Sequence, residues 1–440
     1  MLNEEAKARL AEELAKVAET TTLDGESAAR WTMRGSRPRL VCAPMTADAL
    51  AAALAACDRA GAAVIPWGGG TQQGLGLTPR AADVILVTRS LNRLVEFEPA
   101  NLTATVEAGL RLAELQAILG AKGQWLPFDP PVPPAATIGG LIATNPSGPC
   151  RLKVGGLRDL VIGTRVATPE GALVSAGGRV VKNVTGYDVN KLYVGALGTL
   201  GVVVEATFKV APLPQGERTW LGIFPSATAA GEATLSLLRT ALTPTGLEIL
   251  SEQLAQALGL PVAEGRWALV ARASGFRPAV ERHLAEFAAA ARKAGAEDFG
   301  NLAEDAALAF WADSSRLVAE RRWSAGFLTC RLVVPPAAVG RLADQLAGSE
   351  AKPLIWAAAT GAVFCSLPAG EVAGPAELVG QLRARAVAEG GALVVENWPD
   401  SAGDLDVWGP PGGPLALMRA LKERFDPRGT LNPGRFVGGI

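Results

Sequence analysis

The sequence predicts an α+β fold in which a mixed α/β part is followed by an antiparallel sheet with helices. Three observations support this prediction. A helix, a short strand, a glycine-rich loop and a second strand follow one another between residues 46 and 88, as in a small α/β unit. Strand-like runs then crowd residues 93–211, and the proline-rich stretch 211–214 is typical of a domain boundary. Strands and helices alternate over residues 216–408, which favours an α+β sheet with helices on one face.

The first part is predicted to hold short elements around two loops. Residues 4–18 have the spacing of an amphipathic helix, with Leu10, Leu14 and Val17 on one face. Thr46 is the predicted N-cap of the next helix, and Gly61 is the residue that ends it. The remaining predicted elements are strands at 63–66, 83–88, 93–98, 102–108, 158–168, 172–176 and 200–211, a helix at 111–120, and a glycine- and proline-rich loop at 126–150.

The second part is predicted to alternate strands with helices. The strands are expected at 219–224, 266–273, 327–334, 361–367 and 391–396, and the helices at 226–241, 278–294, 336–347 and 374–389. A last helix is predicted at 415–425, before a turn-rich tail. A chain of 440 residues suits about two to three domains. We therefore divide it into residues 1–214 (with an N-terminal helix within 1–30), 215–410 and 411–440.

Composition and charge argue against several classes of protein. The net charge is −1, so no basic surplus favours nucleic acid or anionic lipid. No apolar run approaches the ~20 residues that a membrane-spanning helix needs. Glu4, Glu5, Glu12 and Glu13 stand where a secretory signal peptide would be basic and then apolar. These features predict an intracellular protein.

Cysteine and histidine usage argues against a metal site. The five cysteines (Cys42, Cys57, Cys150, Cys330 and Cys365) are scattered and form no CxxC pair, so we expect buried free thiols rather than iron–sulfur or zinc ligands. The single histidine, His283, lies in a predicted helix beside Glu281 and Arg282, which is typical of a solvated face. We expect no metal in this chain, and a Ser–His or Cys–His catalytic pair is disfavoured.

The first glycine-rich loop runs from Pro66 to Gly76 and begins Pro66-Trp67-Gly68-Gly69-Gly70-Thr71-Gln72-Gln73-Gly74. Three consecutive glycines after a strand let the backbone approach a ligand closely, and successive N–H groups in such a turn can bind an anion. No Gly-Lys-Ser/Thr follows, and Gln73 breaks a GxGxxG pattern. The loop predicts a phosphate cradle of another type, with a flexible glycine turn as the alternative.

The second loop extends from Ala135 to Gly148 and reads Ala135-Ala136-Thr137-Ile138-Gly139-Gly140-Leu141-Ile142-Ala143-Thr144-Asn145-Pro146-Ser147-Gly148. Such a concentration of small residues and hydroxyls suits close contact with a planar ring or a diphosphate. A tight packing loop is the alternative. The two loops together are more specific than either alone.

A family resemblance rests on these loops and on several later motifs. These are Leu157-Arg158-Asp159, Thr168-Pro169-Glu170-Gly171, the run from Gly178 to Asp188 that contains Lys182-Asn183-Val184-Thr185-Gly186-Tyr187, Gly198 to Val203, and Asn432-Pro433-Gly434. The chain resembles the vanillyl-alcohol-oxidase-type (PCMH-type) FAD-binding family, strongly over 40–214, well over 415–437 and weakly between them. The Lys182–Asp188 run, Trp311 and the Cys330–Pro336 run look most like the FAD-binding E-type subunit of bacterial glycolate oxidase.

The resemblance implies a two-subdomain FAD-binding domain, a second α+β cap domain, and a C-terminal segment that returns to the first domain. It implies non-covalent FAD, because Cys150 has no attachment motif around it and His283 lies in the other domain. The implied FAD-binding residues are Pro66, Trp67, Gly68, Gly69, Gly70, Thr71, Gln72, Thr137, Gly139, Gly140, Thr144, Asn145, Ser147, Gly148, Val203 and Asn432. The flavin would carry the hydride chemistry.

Substrate-binding residues are less evident in the sequence. The larger catalytic relatives typically place a histidine-rich metal site over the flavin, whereas this chain has Val395-Glu396-Asn397-Trp398-Pro399 in that region. Glu396 and Asn397 are candidates for hydrogen bonds to a substrate. Arg331 and the pair Arg321 and Arg322 are candidates for binding a carboxylate, because the planar guanidinium matches that group. Surface or interface salt bridges are the alternative for each arginine.

Three functions remain open at this point. The first is an FAD subunit of a glycolate oxidase-like dehydrogenase of 2-hydroxy acids, working with a second flavoprotein and an iron–sulfur subunit. The second is a non-catalytic relay or assembly subunit, which the missing histidines favour. The third is a standalone FAD dehydrogenase of another alcohol or acid. The resemblance implies a cytoplasmic chain whose membrane association, where present, runs through partner subunits.

Overall fold

A computed structural model describes residues 2–179, 187–324, 326–349 and 353–440. Most of the Lys182–Asp188 run lies outside the described residues. The helices are α1 Glu4–Ala15, α2 Ala47–Ala60, α3 Leu112–Gly120, α4 Ile138–Thr144, α5 Arg151–Val154, α6 Leu157–Leu160, α7 Asn190–Tyr193, α8 Ala227–Leu238, α9 Glu252–Ala257, α10 Arg277–Lys293, α11 Glu304–Trp323, α12 Val339–Ala347, α13 Pro375–Ala388 and α14 Leu415–Phe425.

The strands are β1 Glu19–Thr22, β2 Leu40–Ala43, β3 Val64–Trp67, β4 Val84–Val87, β5 Leu94–Glu98, β6 Thr103–Glu107, β7 Gln124–Trp125, β8 Val161–Ala167, β9 Leu173–Gly177, β10 Val202–Lys209, β11 Ala211–Pro212, β12 Gly216–Phe224, β13 Gly246–Leu250, β14 Trp267–Gly275, β15 Asp298–Asn301, β16 Phe327–Val333, β17 Leu354–Ala358, β18 Ala362–Pro368 and β19 Ala392–Asn397.

The first sheet has the order β1-β2-β4-β3, and β2 and β3 both run parallel to β4. Strands that run in the same direction need a crossover connection, and α2 supplies it from β2 to β3, which lie on either side of β4. The Thr46 hydroxyl accepts a hydrogen bond from the Ala49 N–H at 3.1 Å, and Gly61 ends the helix at φ 67°. Both capping predictions are therefore confirmed. Because β3 ends at Trp67, the first glycine-rich loop leaves this sheet from the carboxyl end of a parallel strand.

The second sheet has the order β5-β6-β10-β8-β9, and all of its pairs are antiparallel. Its buried face packs on a core that includes Val106, Phe208 and Leu141, the last of which belongs to α4. The segment 126–150, expected to be a loop, therefore contains a helix. That helix packs against β10, and Gly139 lets it approach Ala108, whose side chain a Cβ atom at position 139 would meet. The beginning of the predicted strand 158–168 is likewise helical, as α6.

The third sheet has the order β15-β12-β14-β13-β17-β18-β16-β19 and is antiparallel throughout. Helices α8, α10, α12 and α13 pack on one face of it. The expectation that helices cover one face alone was wrong, because α9 and α11 pack on the opposite face through Leu254, Phe310 and Val318. Strand residues alternate between the two cores: Trp220 joins the first and Leu221 the second. The α+β fold class itself is confirmed.

The tail beyond α14 packs beside the first sheet. The Val64 N–H donates to the Thr430 carbonyl at 2.8 Å, and the Asn432 N–H donates to the Val64 carbonyl at 2.9 Å. The buried Lys422 ammonium donates to the carbonyl oxygens of Thr199 at 2.9 Å and Leu431 at 2.8 Å. These bonds place Asn432 next to the strand that leads into the first glycine-rich loop. Among the described residues, no helix is both long and apolar enough to cross a bilayer.

Candidate functional site

A cavity of about 860 Å³, here called the glycine slot, lies between the first glycine-rich loop and α4. Every predicted cofactor-binding residue lines it except Asn145, Ser147 and Gly148. The lining residues from that prediction are Pro66, Trp67, Gly68, Gly69, Gly70, Thr71, Gln72, Thr137, Gly139, Gly140, Thr144, Val203 and Asn432. Segments from four distant parts of the sequence therefore meet around one cavity.

The glycines of the first loop are required by close packing against the second loop. A Cβ atom at Gly68 would collide with the Thr137 hydroxyl, and one at Gly69 would collide with the Ala135 carbonyl oxygen. Gly70 has φ +71°, a left-handed conformation that other residues rarely adopt. The two loops therefore touch at the back of the slot.

Several polar atoms around the slot have no protein partner. Among the described residues, the buried atoms Gln72 Nε2, Thr137 Oγ1 and Asn432 Oδ1 make no hydrogen bond, and neither does Asn145 Oδ1 at the end of α4. The other amide atoms are anchored, since the Thr144 hydroxyl donates to Gln72 Oε1 and Asn432 Nδ2 donates to the Leu197 carbonyl at 2.5 Å. Buried polar groups are normally hydrogen-bonded. These four atoms therefore point to a polar ligand between the two loops.

Arg435 is a slot residue that the sequence patterns did not single out. Its buried guanidinium donates to Gln73 Oε1 at 2.7 Å and to the carbonyl oxygens of Gln73 and Leu75, both at 2.6 Å. Burial lowers the pKa of Arg435 to about 10, and the neighbouring Arg34 contributes to the shift. The terminal tail thus fixes the far end of the first loop. Only the proximity of Arg435 to the Asn432-Pro433-Gly434 motif could have indicated this role.

The slot continues into a second cavity of about 1090 Å³, here called the arginine chamber. Leu75, Thr144 and Leu197 line both cavities. Asn145 and Ser147 line the arginine chamber from the first domain, and Ser147 also borders a third cavity together with Gly148. The wall contributed by the second domain includes all three catalytic candidates, Arg322, Arg331 and Glu396. Arg151, Trp323, Trp408 and Phe436, which the sequence reasoning missed, also line the chamber.

The three catalytic candidates form one ion network. Arg322 donates from Nε to Glu396 Oε2 at 2.7 Å and from Nη2 to Oε1 at 2.9 Å, and Arg331 donates from Nε to Oε1 at 2.8 Å. Arg322 and Glu396 are almost fully buried, whereas the Arg331 side chain is 33% exposed. Burial opposes ionisation of Glu396, but the two guanidinium groups outweigh it and lower the pKa of that carboxyl. Two cations and one anion leave the network with a net positive charge.

The network retains hydrogen-bond donors that the described residues do not use. Arg322 Nη1 is buried without a partner among them. Among the described residues, the Arg331 side chain makes one hydrogen bond, which it donates from Nε. Its two terminal nitrogens therefore remain available. An Arg fork of this kind binds a planar anion through two parallel hydrogen bonds. The chamber can therefore accept a carboxylate.

Two other sequence candidates do not line this chamber. Arg321 stacks on the Phe327 ring, with its guanidinium carbon 4.1 Å from the ring centroid. Asn397 Nδ2 donates to the carbonyl oxygens of Ser324 and Phe327, so it fixes the turn between α11 and β16. Both residues serve the local structure next to the chamber.

His283 and Cys150 lie away from the slot and the arginine chamber. His283 is on α10, where its Nε2 accepts a hydrogen bond from the Thr243 N–H at 3.1 Å. Cys150 is buried, and Arg272 Nη2 lies 3.1 Å from its sulfur. Burial raises the pKa of the Cys150 thiol well above its ordinary value, so the thiol is neutral. Within the described ranges, no group of three or more His, Cys, Asp or Glu side chains is arranged to hold a metal ion.

Two family models match the chain. The FAD binding domain matches residues 38–177, and the C-terminal domain of FAD linked oxidases matches residues 213–353 and 411–436. Together the two matches span most of the chain, which therefore carries both domains of an FAD-linked oxidase. Its cofactor is FAD, and it is an FAD-dependent oxidoreductase. The second match is in two pieces. The later piece contains α14, which follows the third sheet in the sequence of this FAD-linked oxidase.

Curated relatives of this FAD-linked oxidase include subunits of glycolate oxidase. Glycolate oxidase subunit GlcD of Bacillus subtilis (strain 168) is 28% identical over 420 residues, which cover 91% of this chain and 89% of that protein. Glycolate oxidase subunit GlcE of Escherichia coli (strain K12) is 42% identical over 123 residues, 28% of this chain and 35% of that protein. The resemblance to E-type subunits therefore holds for a limited stretch, whereas a D-type subunit matches nearly the whole chain.

Two further comparisons concern a dehydrogenase and a solved structure. The mitochondrial D-lactate dehydrogenase [cytochrome] 1 of Saccharomyces cerevisiae (strain ATCC 204508 / S288c) is 33% identical over 221 residues, which cover 50% of this chain and 37% of that protein. The crystal structure of p-cresol methylhydroxylase with substrate bound superposes with a TM-score of 0.77 at 14% identity, covering 99% of this chain and 97% of that one. At that identity the superposition establishes the fold alone.

Proposed function

We propose that this chain oxidises a 2-hydroxy acid with bound FAD, and that Arg331 and Arg322 hold the substrate carboxylate. The observation that carries the proposal is the Arg322–Glu396–Arg331 network in a chamber that continues from the glycine slot. The relatives named for glycolate and D-lactate act on acids that share a hydroxyl group at C2. Their names support the same substrate class here.

The glycine slot is the proposed seat of the FAD diphosphate. The backbone of Gly68 to Gln72, together with Thr137, Gly139 and Gly140, would surround it, and Val203 would contact the adenosine end. The fit is supported by the unpartnered atoms of Gln72, Thr137 and Asn432, which need hydrogen bonds. Thr144, Asn145 and Ser147 extend from the slot into the arginine chamber, so they would border the flavin ring. Binding is proposed to be non-covalent.

The protein's part in the reaction is to bind and orient the acid. Oxidation removes a hydride from C2 and a proton from the C2 hydroxyl, leaving a 2-oxo acid, and FAD supplies the two-electron acceptor for the hydride. The arginines orient the acid so that C2 faces the slot side of the chamber. The partial exposure of Arg331 supports access to solvent, which takes up the hydroxyl proton. Ionised Glu396 keeps the two guanidinium groups in place.

The partners are proposed from the same resemblance. A second flavin subunit and an iron–sulfur subunit would form a glycolate oxidase-like complex with this chain in the cytoplasm. Electrons would pass through the iron–sulfur subunit to a membrane acceptor. The relatives named as subunits of glycolate oxidase support a heteromeric assembly.

The test is anaerobic single-turnover reduction of the purified, FAD-loaded chain by glycolate and by lactate. Bleaching of the flavin absorbance is expected with the unmodified chain. Arg331→Met should raise the half-saturating concentration of the acid at least tenfold, because the exposed fork is lost. Arg321→Met is the matched control, since Arg321 does not line the chamber, and it should bleach normally. A fully loaded chain that stays oxidised with every 2-hydroxy acid would refute catalysis by this chain and favour the relay role.

A further inference from the structure

A third cavity of about 880 Å³, here called the aromatic chamber, adjoins the arginine chamber. Ser147, Thr360 and Ala362 line both chambers, so the two are continuous across these small side chains. Apart from Ser147, Gly148 and Trp311, the residues of its wall lie outside the motifs that carry the family resemblance. That wall comes from α11, β13, β14, β17 and β18 of the second domain, and from residues 129–131 and 147–149 of the first.

Two aromatic pairs form the sides of the aromatic chamber. Trp356 and Phe364 are stacked with ring centroids 4.7 Å apart and an interplanar angle of 12°. Phe310 and Trp311 meet edge to face at 4.9 Å. Aromatic side chains in the lining favour an aromatic ligand, since offset-stacked and edge-to-face contacts add to the gain from apolar burial. The chamber is therefore shaped for an aromatic group.

Arg322, a member of the proposed substrate-binding network, packs against an aromatic residue of the neighbouring chamber. The Arg322 guanidinium carbon lies 4.6 Å from the centroid of the Phe364 ring, and the same guanidinium binds Glu396 in the arginine chamber. A molecule with its carboxylate at Arg322 and Arg331 thus has an aromatic wall directly beside it. A two- or three-carbon acid would leave most of the aromatic chamber unfilled.

An ion pair also lines the aromatic chamber. Arg272 Nη2 binds Asp129 Oδ2 at 2.5 Å, and the Arg272 guanidinium carbon lies 4.4 Å from the Trp311 ring centroid. Arg272 Nε is buried without a partner among the described residues. The Glu248 carboxyl lines the same cavity. A long alkyl chain would run into these polar groups, whereas the π face of a ring tolerates a neighbouring guanidinium.

We propose that the preferred substrates are 2-hydroxy acids with an aromatic side chain, whose carboxylate binds Arg331 and Arg322 and whose ring occupies the aromatic chamber. This inference rests on the proposed function and narrows its substrate class. The oxidation balances as before: hydride from C2 to FAD, the hydroxyl proton to solvent, and an aromatic 2-oxo acid as product.

The first experiment compares substrates on the FAD-loaded chain under anaerobic single-turnover conditions. The probes are racemic 2-hydroxy-3-phenylpropanoate, lactate, glycolate and racemic 2-hydroxyoctanoate. For each acid the ratio of reduction rate to half-saturating concentration is measured. This ratio should be at least tenfold higher for the aromatic acid than for any of the other three, which corresponds to a difference of about 1.4 kcal/mol. Reduction by glycolate or lactate with no preference for the aromatic acid would overturn this inference and leave the proposed function standing. No reduction by any acid would overturn both.

The second experiment measures binding without turnover. Calorimetric titration of the FAD-loaded chain with 3-phenylpyruvate should give an affinity at least tenfold above that for pyruvate. Ser314→Trp fills the aromatic chamber from α11 and should abolish this difference, whereas Ala312→Trp is the matched control because Ala312 is exposed on the same helix and does not line the chamber. Equal affinities in the unmodified chain would overturn the inference, whatever the variants do.

Discussion

Arg322 and Glu396 form a bidentate ion pair, with both side chains almost completely removed from solvent. Taking two charges out of water costs several kcal/mol per ion, and good geometry is what compensates. Arg331, whose side chain is partly exposed, donates a hydrogen bond to the same carboxylate. The pair thus joins α11, which carries Arg322, to β19, which carries Glu396, at the place where the proposed substrate binds.

Replacing Glu396 with Gln should destabilise the chain strongly. The change leaves two guanidinium groups close together with no anion between them, and removing one partner of a buried pair typically costs about 3–5 kcal/mol. Urea unfolding followed by tryptophan fluorescence would measure the loss. Glu371→Gln, at an exposed position, should change the free energy of unfolding by less than about 0.5 kcal/mol. Equal stabilities for the two variants would show that the network does not stabilise the fold.

Replacing Glu248 with Gln should stabilise the chain, and more so at higher pH. Burial raises the pKa of Glu248 to about 8, with a further contribution from Asp129. The pKa of Glu248 in the folded state lies above the unfolded-state value of 4.5. The stability that this carboxyl contributes is therefore fully present below pH 4.5 and is lost as the pH rises to 8.

The free energy of unfolding of the Glu248→Gln variant should therefore exceed that of the unmodified chain by a small amount at pH 5 and by on the order of 3 kcal/mol at pH 7. Urea unfolding of both proteins at several pH values between 5 and 8 measures it. Glu264→Gln, at an exposed site, provides the control and should show no such trend. A constant difference across this pH range would contradict the assigned protonation state.

Replacing Gly69 with Ala should reduce FAD content. The new Cβ would collide with the Ala135 carbonyl oxygen, and the two loops would have to separate at the back of the slot. The ratio of flavin to protein absorbance after purification measures occupancy. Gly120→Ala adds a Cβ that meets no atom within 4 Å, so that variant should retain normal FAD. Full occupancy in the Gly69 variant would show that contact between the loops does not shape the site.

Replacing Thr137 with Val should weaken FAD binding without destabilising the FAD-free chain. The hydroxyl is buried and has no partner among the described residues, so its removal costs no internal hydrogen bond. Loss of one bond to the ligand is worth about 1 kcal/mol, or roughly fivefold in the dissociation constant. Fluorescence titration of the FAD-free chain with FAD, together with its urea unfolding curve, separates the two effects. A variant that loses stability but binds FAD normally would contradict the assignment.

The glycine slot could be predicted because most of its lining comes from two short continuous stretches of the sequence. The loop after β3 and the segment around α4 are each continuous stretches rich in glycine and hydroxyl groups, and the residues named from them largely line one cavity. The helical state of Ile138–Thr144 was not predictable from that composition, since glycine disfavours helices in isolation and packing against β10 overrides this preference.

The chambers in the second domain were less accessible to sequence reasoning. Arg322 was a candidate by residue type, but its pairing with Glu396 joins positions 74 residues apart. The helix α11 carries apolar residues on several sides, among them Leu308, Phe310 and Trp311, so it lacks the single stripe that indicates a surface helix. The aromatic chamber depends on that helix and on the unforeseen strands β13 and β17. Its existence follows from tertiary packing alone.

The pairing of the C-terminal tail with Val64 has a consequence for biosynthesis. A nascent chain that has just completed β11 already contains both glycine-rich loops, yet Asn432 and Arg435 have still to be translated. The strand that leads into the first loop gains its neighbour, and the loop gains its guanidinium anchor, after more than two hundred further residues have left the ribosome. Stable acquisition of the flavin is therefore expected to be a late event, after translation of residues 430–435, and this segment and the first glycine-rich loop must both be intact for the cofactor to be retained.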